Sequence, residues 1–227
     1  MTPDLERLER DVVACRACPR LVAWREGAAA RAPARFAGQT YWARPLPGFG
    51  DPDAHVLILG LAPAADGGNR TGRIFTGDRS GDFLFASLRR TGFANQPTSV
   101  SLDDGLALRG AWVTAVNRCA PPDNKPTPLE RDTCLPFLGR EVQALGSVRV
   151  IVPLGDYAWR GALLALAAAG HPVPRPRPKF GHGAEVTIGP YALLGCFHPS
   201  QQNTFTGKLT EPMIDSVFAR ARSRAAC

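Results

Sequence analysis

The sequence predicts an α/β fold built on a largely parallel sheet, and three observations carry that prediction. Short, continuous apolar runs appear at 55–60 and 148–154, the pattern of strands covered on both faces. Segments of helical period alternate with them. Several runs end in loops rich in Gly, Pro and Asp, and ligands of such folds bind beyond the carboxyl ends of the strands.

Taken in order, the chain opens with a short helix over 3–14, where Leu5, Leu8, Val12 and Val13 recur on one face. Residues 27–54 are rich in Ala, Gly, Pro and Arg and hold no sustained period, so they read as a loop excursion carrying Tyr41, Trp42 and Phe49. His55–Gly60 is the first core strand, followed by a Gly-rich loop and a helix over about 80–91. Strands follow at about 111–117 and 148–154, with a helix from about 156 to 169. EVTI and YALLGCF, parted by Gly189-Pro190, read as a hairpin, and a helix over about 209–225 closes the chain.

Composition narrows the function classes. The 227 residues fit a single domain, 1–227, and 44% hydrophobic with 21% charged residues is the balance of a globular chain rather than a disordered one. The longest apolar run, Gly161–Gly170, is about half of what a membrane-spanning helix needs, which excludes such a span. The first 25 residues are too charged for a secretory leader, so a cytoplasmic monomer is expected. Lys and Arg exceed Asp and Glu by 27 to 20, a net +7 compatible with a polyanion such as DNA but not diagnostic of one.

Six cysteines in such a chain argue for metal or catalysis before disulfides. Cys196 lies in an apolar stretch and reads as a small core residue, and Cys227 is terminal. Cys15, Cys18, Cys119 and Cys134 remain as ligands, a set that suits a structural Zn²⁺ as well as an iron–sulfur cluster.

Three loops could carry chemistry. The loop GLAPAADGGNRTGRIFTGDRSGD begins at Gly60 and Ala62 and packs six glycines around Asp66, Asp78 and Asp82. It matches neither nucleotide-cradle pattern, and its glycines alone would suit a flexible surface loop. The stretch APPDNKPTPLERDTC is stiffened by four prolines and presents Asn124 and Lys125 on its way to Cys134. The last, FHPSQQNTFTG, puts His198 at a strand end, where it can reach the same cleft as Asp78.

These three stretches, with CRACPRLVAWRE, YWARPLPGFGDP and FGHG, resemble the iron–sulfur uracil-DNA glycosylases, most closely the branch called family 5 or type B. The resemblance spans about Cys15 to Thr210. It implies a three-layer α/β/α fold and a [4Fe–4S] cluster on Cys15, Cys18, Cys119 and Cys134 that ties the N-terminal extension to the loop of Asn124. It also implies a hydrolase that flips uracil or another damaged base from DNA and leaves an abasic site. Asp78 would stabilise the oxocarbenium-like sugar and orient water, Asn124 would assist, and His198 would stabilise charge on the base oxygen. Phe75 would stack on the base, beside Gly60, Ala62 and Ala115. Arg70, Arg73, Arg79 and Lys208 would hold phosphates. The uracil-selective iron–sulfur branch carries an Asn where this chain has Ala115, so a broader range including hypoxanthine is expected. Asp66 is a second departure, a third acid near the site.

Two other readings are weighed. A non-catalytic iron–sulfur or zinc nucleic-acid-binding protein would have no need of Asp78 facing DNA. A glycosylase-lyase would need an amine, available only from Lys125, Lys179 or Lys208.

Overall fold

The computed structural model describes residues 2–225; Cys227 lies outside them. Six strands form one mixed sheet: β1 (Phe49–Gly50), β2 (Val56–Gly60), β3 (Ala111–Ala115), β4 (Val150–Pro153), β5 (Glu185–Ile188) and β6 (Tyr191–Leu194). Their order is β1-β3-β2-β4-β6-β5. The four central strands run parallel, with Gly60 beside Ala115 and Leu59 beside Pro153. β1 and β5 are antiparallel edges.

Alternation along the central strands divides the core in two. Val56, Ile58, Val113, Ala115 and Val152 point to one face, where they meet α4 (Arg79–Arg90) and α8 (Glu211–Ala225) through Leu84, Phe85, Ile214 and Phe218. Leu57, Leu59, Trp112 and Ile151 point to the other. There they meet α1 (Pro3–Ala14), α5 (Pro128–Ala144) and α6 (Asp156–Ala168) through Leu5, Leu138, Val142 and Trp159. Helices thus cover both faces, and the expected three-layer α/β/α architecture is observed. Among the described residues no helix is long and apolar enough to cross a membrane.

The departures from the sequence reading lie around the cysteines. The strand expected over 111–117 is observed as Ala111–Ala115, although the amides of Val116 and Asn117 still donate to the Gly60 and Leu61 carbonyls. The Asn117 side chain donates to the Glu130 carbonyl and accepts from the Tyr157 hydroxyl. Half of the proline-rich stretch expected as loop is the start of α5. Pro128 occupies the first turn, where its missing N–H is harmless, and Thr127 and Glu130 form a reciprocal capping box. An unexpected helix, α2 (Pro19–Glu26), follows the CxxC, again with proline in its first turn, and a single turn, α3 (Gly68–Thr71), lies within the Gly-rich loop.

Candidate active site

The loops after β2, β3 and β6 converge at the carboxyl end of the sheet. Asp78 and Asn124 line one cleft of about 710 Å³, with Asp66, Asp82 and Asp123 beside them. Asp78 caps α4: its Oδ1 accepts from the Gly81 amide at 2.9 Å. Its Oδ2 lies so close to Gly67 that a Cβ there would sit 2.1 Å away, so only glycine admits the carboxylate. Burial raises the Asp78 pKa above the ordinary value, against the opposing pull of the Gly81 and Ser80 amides. The carboxylate is held close but poorly solvated.

Asn124 follows β3 through a tight turn in which Asp123 and Asn124 both take left-handed backbone, at φ 53° and 55°. Asn and Asp tolerate that region better than other side chains. The turn is pinned from outside: Arg20 of α2 donates to the Lys125 carbonyl at 3.1 Å and to both Glu130 carboxylate oxygens at 2.7 Å.

Phe75 and His198, expected at the same cleft as Asp78, are not among the residues that line it; their rings pair with each other, 5.9 Å apart at 36°. Phe75 has φ 56°, an uncommon conformation for an aromatic residue, and its ring lies over Gly60, where a Cβ would meet it at 2.8 Å. Burial lowers the His198 pKa to about 4, so its imidazole is neutral at physiological pH. Its carbonyl accepts from Asn203, which steers the chain into α7 (Gln201–Phe205). Ala62 is half-buried. Ala115 is fully buried on the face of the sheet that packs with Phe75 and does not line the cleft.

The four basic residues separate. Arg79 and Lys208 are exposed, over the Phe205 and Phe197 rings at 5.5 and 5.0 Å. Arg70 is occupied internally: Nε donates to the Asp66 carbonyl at 2.8 Å, Nη2 to the Gly77 carbonyl at 3.1 Å, and Nη1 to Gln39. It clamps the segment of Asp66 to that of Asp78. Arg73 corrects the sequence reading. It is buried, bonds Thr76 and Ser99, and pairs with buried Asp104 at 2.6 Å, so no donor faces a phosphate. Burial pushes Asp104 up, but Arg73 and the amides of Val100, Leu106 and Ser101 win and bring it to about 2.

Sequence reasoning missed Trp24, Arg35, Phe36 and Phe205, which form rims of the same cleft. Phe205 is 67% exposed, and an aromatic within the polar stretch QQNTFTG was the available signal. Asp66 is held by the Tyr41 hydroxyl, which donates to its Oδ1 at 2.9 Å.

Cys15, Cys18, Cys119 and Cys134 line a second, small cavity together with Arg25 and Arg118. Arg25 donates to the Cys119 sulfur at 2.9 Å, and the Arg118 amide donates to that of Cys134 at 3.3 Å. Burial pushes the thiols of Cys119 and Cys134 up to about 11 and 12. The Nε atoms of both arginines are buried without a partner, and buried donors are normally satisfied. Arg118 is already ion-paired with buried Glu141, whereas Arg25 reaches Glu26 only at 3.7 Å and turns Nη1 to the Cys119 sulfur. A buried cation with an orphaned donor beside these sulfurs fits an anionic group there. Among the described residues no three His, Cys, Asp or Glu side chains gather as ligands of one ion. Cys196 is buried elsewhere, in the core.

Residues 47–222 match the family described as the Uracil DNA glycosylase superfamily. The chain is 53% identical to the type-5 uracil-DNA glycosylase of Mycobacterium tuberculosis over 93% of its own length and 78% of that protein's. It is 48% identical to that of Thermus thermophilus, over 98% and 99%, and 41% identical to that of Pyrobaculum aerophilum, over 95% and 91%.

Proposed function

The chain belongs to the Uracil DNA glycosylase superfamily, and from that premise we propose that it is a monofunctional glycosylase excising uracil from DNA. The reaction forms a bond between water oxygen and the sugar C1′ and breaks the C1′–N1 bond, leaving free uracil and an abasic site. The observation that carries the reading is the half-buried, glycine-cradled Asp78 carboxylate that lines one cleft with Asn124.

Positive charge develops on the sugar as the bond opens, and a poorly solvated carboxylate at that point is worth more than one in water. Asp78 stabilises that charge and accepts a hydrogen bond from the attacking water, while Asn124 fixes the water's position. Negative charge develops on the base. A neutral His198 donates a hydrogen bond to the base oxygen without having to lose a proton first, and Phe75 stacks on the extruded ring. Arg79 and Lys208 engage phosphates outside the cleft.

Cys15, Cys18, Cys119 and Cys134 would hold a [4Fe–4S] cluster, whose thiolate ligands and sulfides would supply an anion beside the buried Arg25 guanidinium. Among the described residues no three of these thiols gather as ligands of one ion, the arrangement a tetrahedral Zn²⁺ site calls for. The role is structural: α2, which follows Cys18, carries Arg20 to the turn of Asn124.

Base range is inferred from the ring that stacks the base: Ala115 does not line the cleft but packs in the same cluster as Phe75. No side-chain amide stands there to be left unpaired by a base other than uracil, and Asn117 is committed to Glu130 and Tyr157. Activity therefore extends more weakly to hypoxanthine. The test is a panel of duplexes and single strands, each with one modified base, scored by alkali-labile scission. Uracil is cut fastest, hypoxanthine slowly, and Asp78→Asn binds but turns over at least about 100-fold more slowly. No scission of uracil substrates by the wild type refutes the function, and an unaffected Asp78→Asn removes that residue from the mechanism.

A further inference from the structure

The excursion over 27–43 is tied down at both ends. At its start Arg31 donates to the Trp24 carbonyl at 2.7 Å and lies over the Trp24 ring. At its far end the amides of Trp42 and Ala43 donate to the carbonyls of Arg70 and Asn69, in the Asp78 loop. Between these ties a short 3₁₀ turn, Ala34–Phe36, brings Arg35 and Phe36 to the rim of the catalytic cleft. Arg70 packs against the Phe36 ring at 4.1 Å, so that ring is braced by the same guanidinium that clamps Asp66 to Gly77. Arg35 is exposed, and among the described residues it makes no ion pair; its guanidinium rests on Phe36 at 4.8 Å.

The cleft floor is acidic, which repels a phosphate chain, so a DNA strand crossing it must be held at the rims. One part of the rim carries the exposed Phe205 and Arg79, which has no ion pair among the described residues. Another part of the rim carries Arg35 and Phe36. We infer that the 27–43 segment is a DNA-binding strap: Arg35 neutralises a backbone phosphate, and Phe36 stacks a base of the same strand beside the extruded nucleotide. An aromatic platform next to a free cation is how single strands are held without regard to sequence. The proposal rests on the glycosylase reading for its substrate and adds a contact surface to it.

The probe is a single-stranded 15-mer with a tetrahydrofuran abasic analogue at its centre and 2-aminopurine on one side of it or the other. Binding is measured across salt concentrations for wild type, Arg35→Ala, Phe36→Leu, Phe36→Tyr and, as a control, Arg109→Ala at the opposite end of the sheet. Losing one phosphate contact lowers the slope of log affinity against log salt by about 0.7 on a single strand, and Arg35→Ala shows that drop while Arg109→Ala does not. Phe36→Leu weakens binding by about tenfold, the scale of one lost base stack. It also changes 2-aminopurine emission at one flank, and Phe36→Tyr restores both. An unchanged slope in Arg35→Ala, or unchanged emission in Phe36→Leu, overturns the strap while uracil excision by the wild type leaves the glycosylase reading standing. Wild type that excises nothing, yet loses slope and stacking in these variants, sustains the surface and refutes the activity.

Discussion

Gly67→Ala moves the Asp78 carboxylate without touching its charge. The added Cβ would stand 2.1 Å from Oδ2, 3.0 Å from Cγ and 3.1 Å from Cβ of Asp78, where contacts under 3.0 Å are essentially never tolerated. The oxygen must therefore retreat by about 1 Å, and a displacement of that size in a reacting group costs on the order of 100-fold in rate. Rotation alone does not absorb it, because Oδ1 is held by the Gly81 amide at 2.9 Å; releasing that cap costs about 1 kcal/mol of stability. The expected result is uracil excision slowed about 100-fold under single-turnover conditions, a small drop in melting temperature, and nearly unchanged affinity for abasic-analogue DNA. Gly139→Ala, on α5 with open space around its Cβ, is the control and keeps full activity. A folded Gly67→Ala enzyme working at the wild-type rate would refute the claim that the position of Asp78 limits the chemistry.

Arg73 and Arg79 separate stability from DNA binding. Arg73→Ala leaves Asp104 buried without its cation and costs about 3–5 kcal/mol in chemical denaturation, whereas Arg79→Ala stays within about 0.5 kcal/mol of wild type and lowers the salt slope of duplex binding by about 1. His198 gives a pH signature. Its folded pKa, near 4, lies below the unfolded value near 6.5, so the unfolded chain takes up the proton first and stability falls as pH drops below about 6.5. Between pH 7 and pH 5 this amounts to about 2 kcal/mol; His198→Gln flattens that loss in denaturation curves, and equal pH profiles for both proteins would refute it. For the cluster, anaerobically purified protein contains about four irons per chain. Cys196→Ser retains them and Cys119→Ser loses them, while stoichiometric zinc without iron refutes the assignment.

The sheet was legible because buried parallel strands must be apolar on both faces, and VLILG and VIVP are. Helix α5 was hidden because it has a proline at its first turn and another, Pro136, inside, with little amphipathic contrast to offset them. Its capping box, Thr127 with Glu130, was in plain sight and outweighed the prolines. At the site, Asp78, Asn124, His198 and Phe75 could be located because each follows a strand, and parallel neighbours deliver their loops to one end of the sheet. No such rule distinguishes Arg70, Arg73 and Arg79. They sit within ten residues of one another in similar surroundings, and one clamps the loop, one is buried against Asp104 and one faces solvent. What separates them is a partner far along the chain: Gln39 for Arg70, Asp104 for Arg73, and no carboxylate among the described residues for Arg79. The same holds for the strap. Its composition, Ala, Gly, Pro and Arg, sets no local path, so its course depends on tertiary ties: Gln39 to Arg70, and the amides of Trp42 and Ala43 to the Asp78 loop. A residue whose role is set by backbone position could be read from the sequence. A residue whose role is set by a distant partner could be read only once the chain had folded.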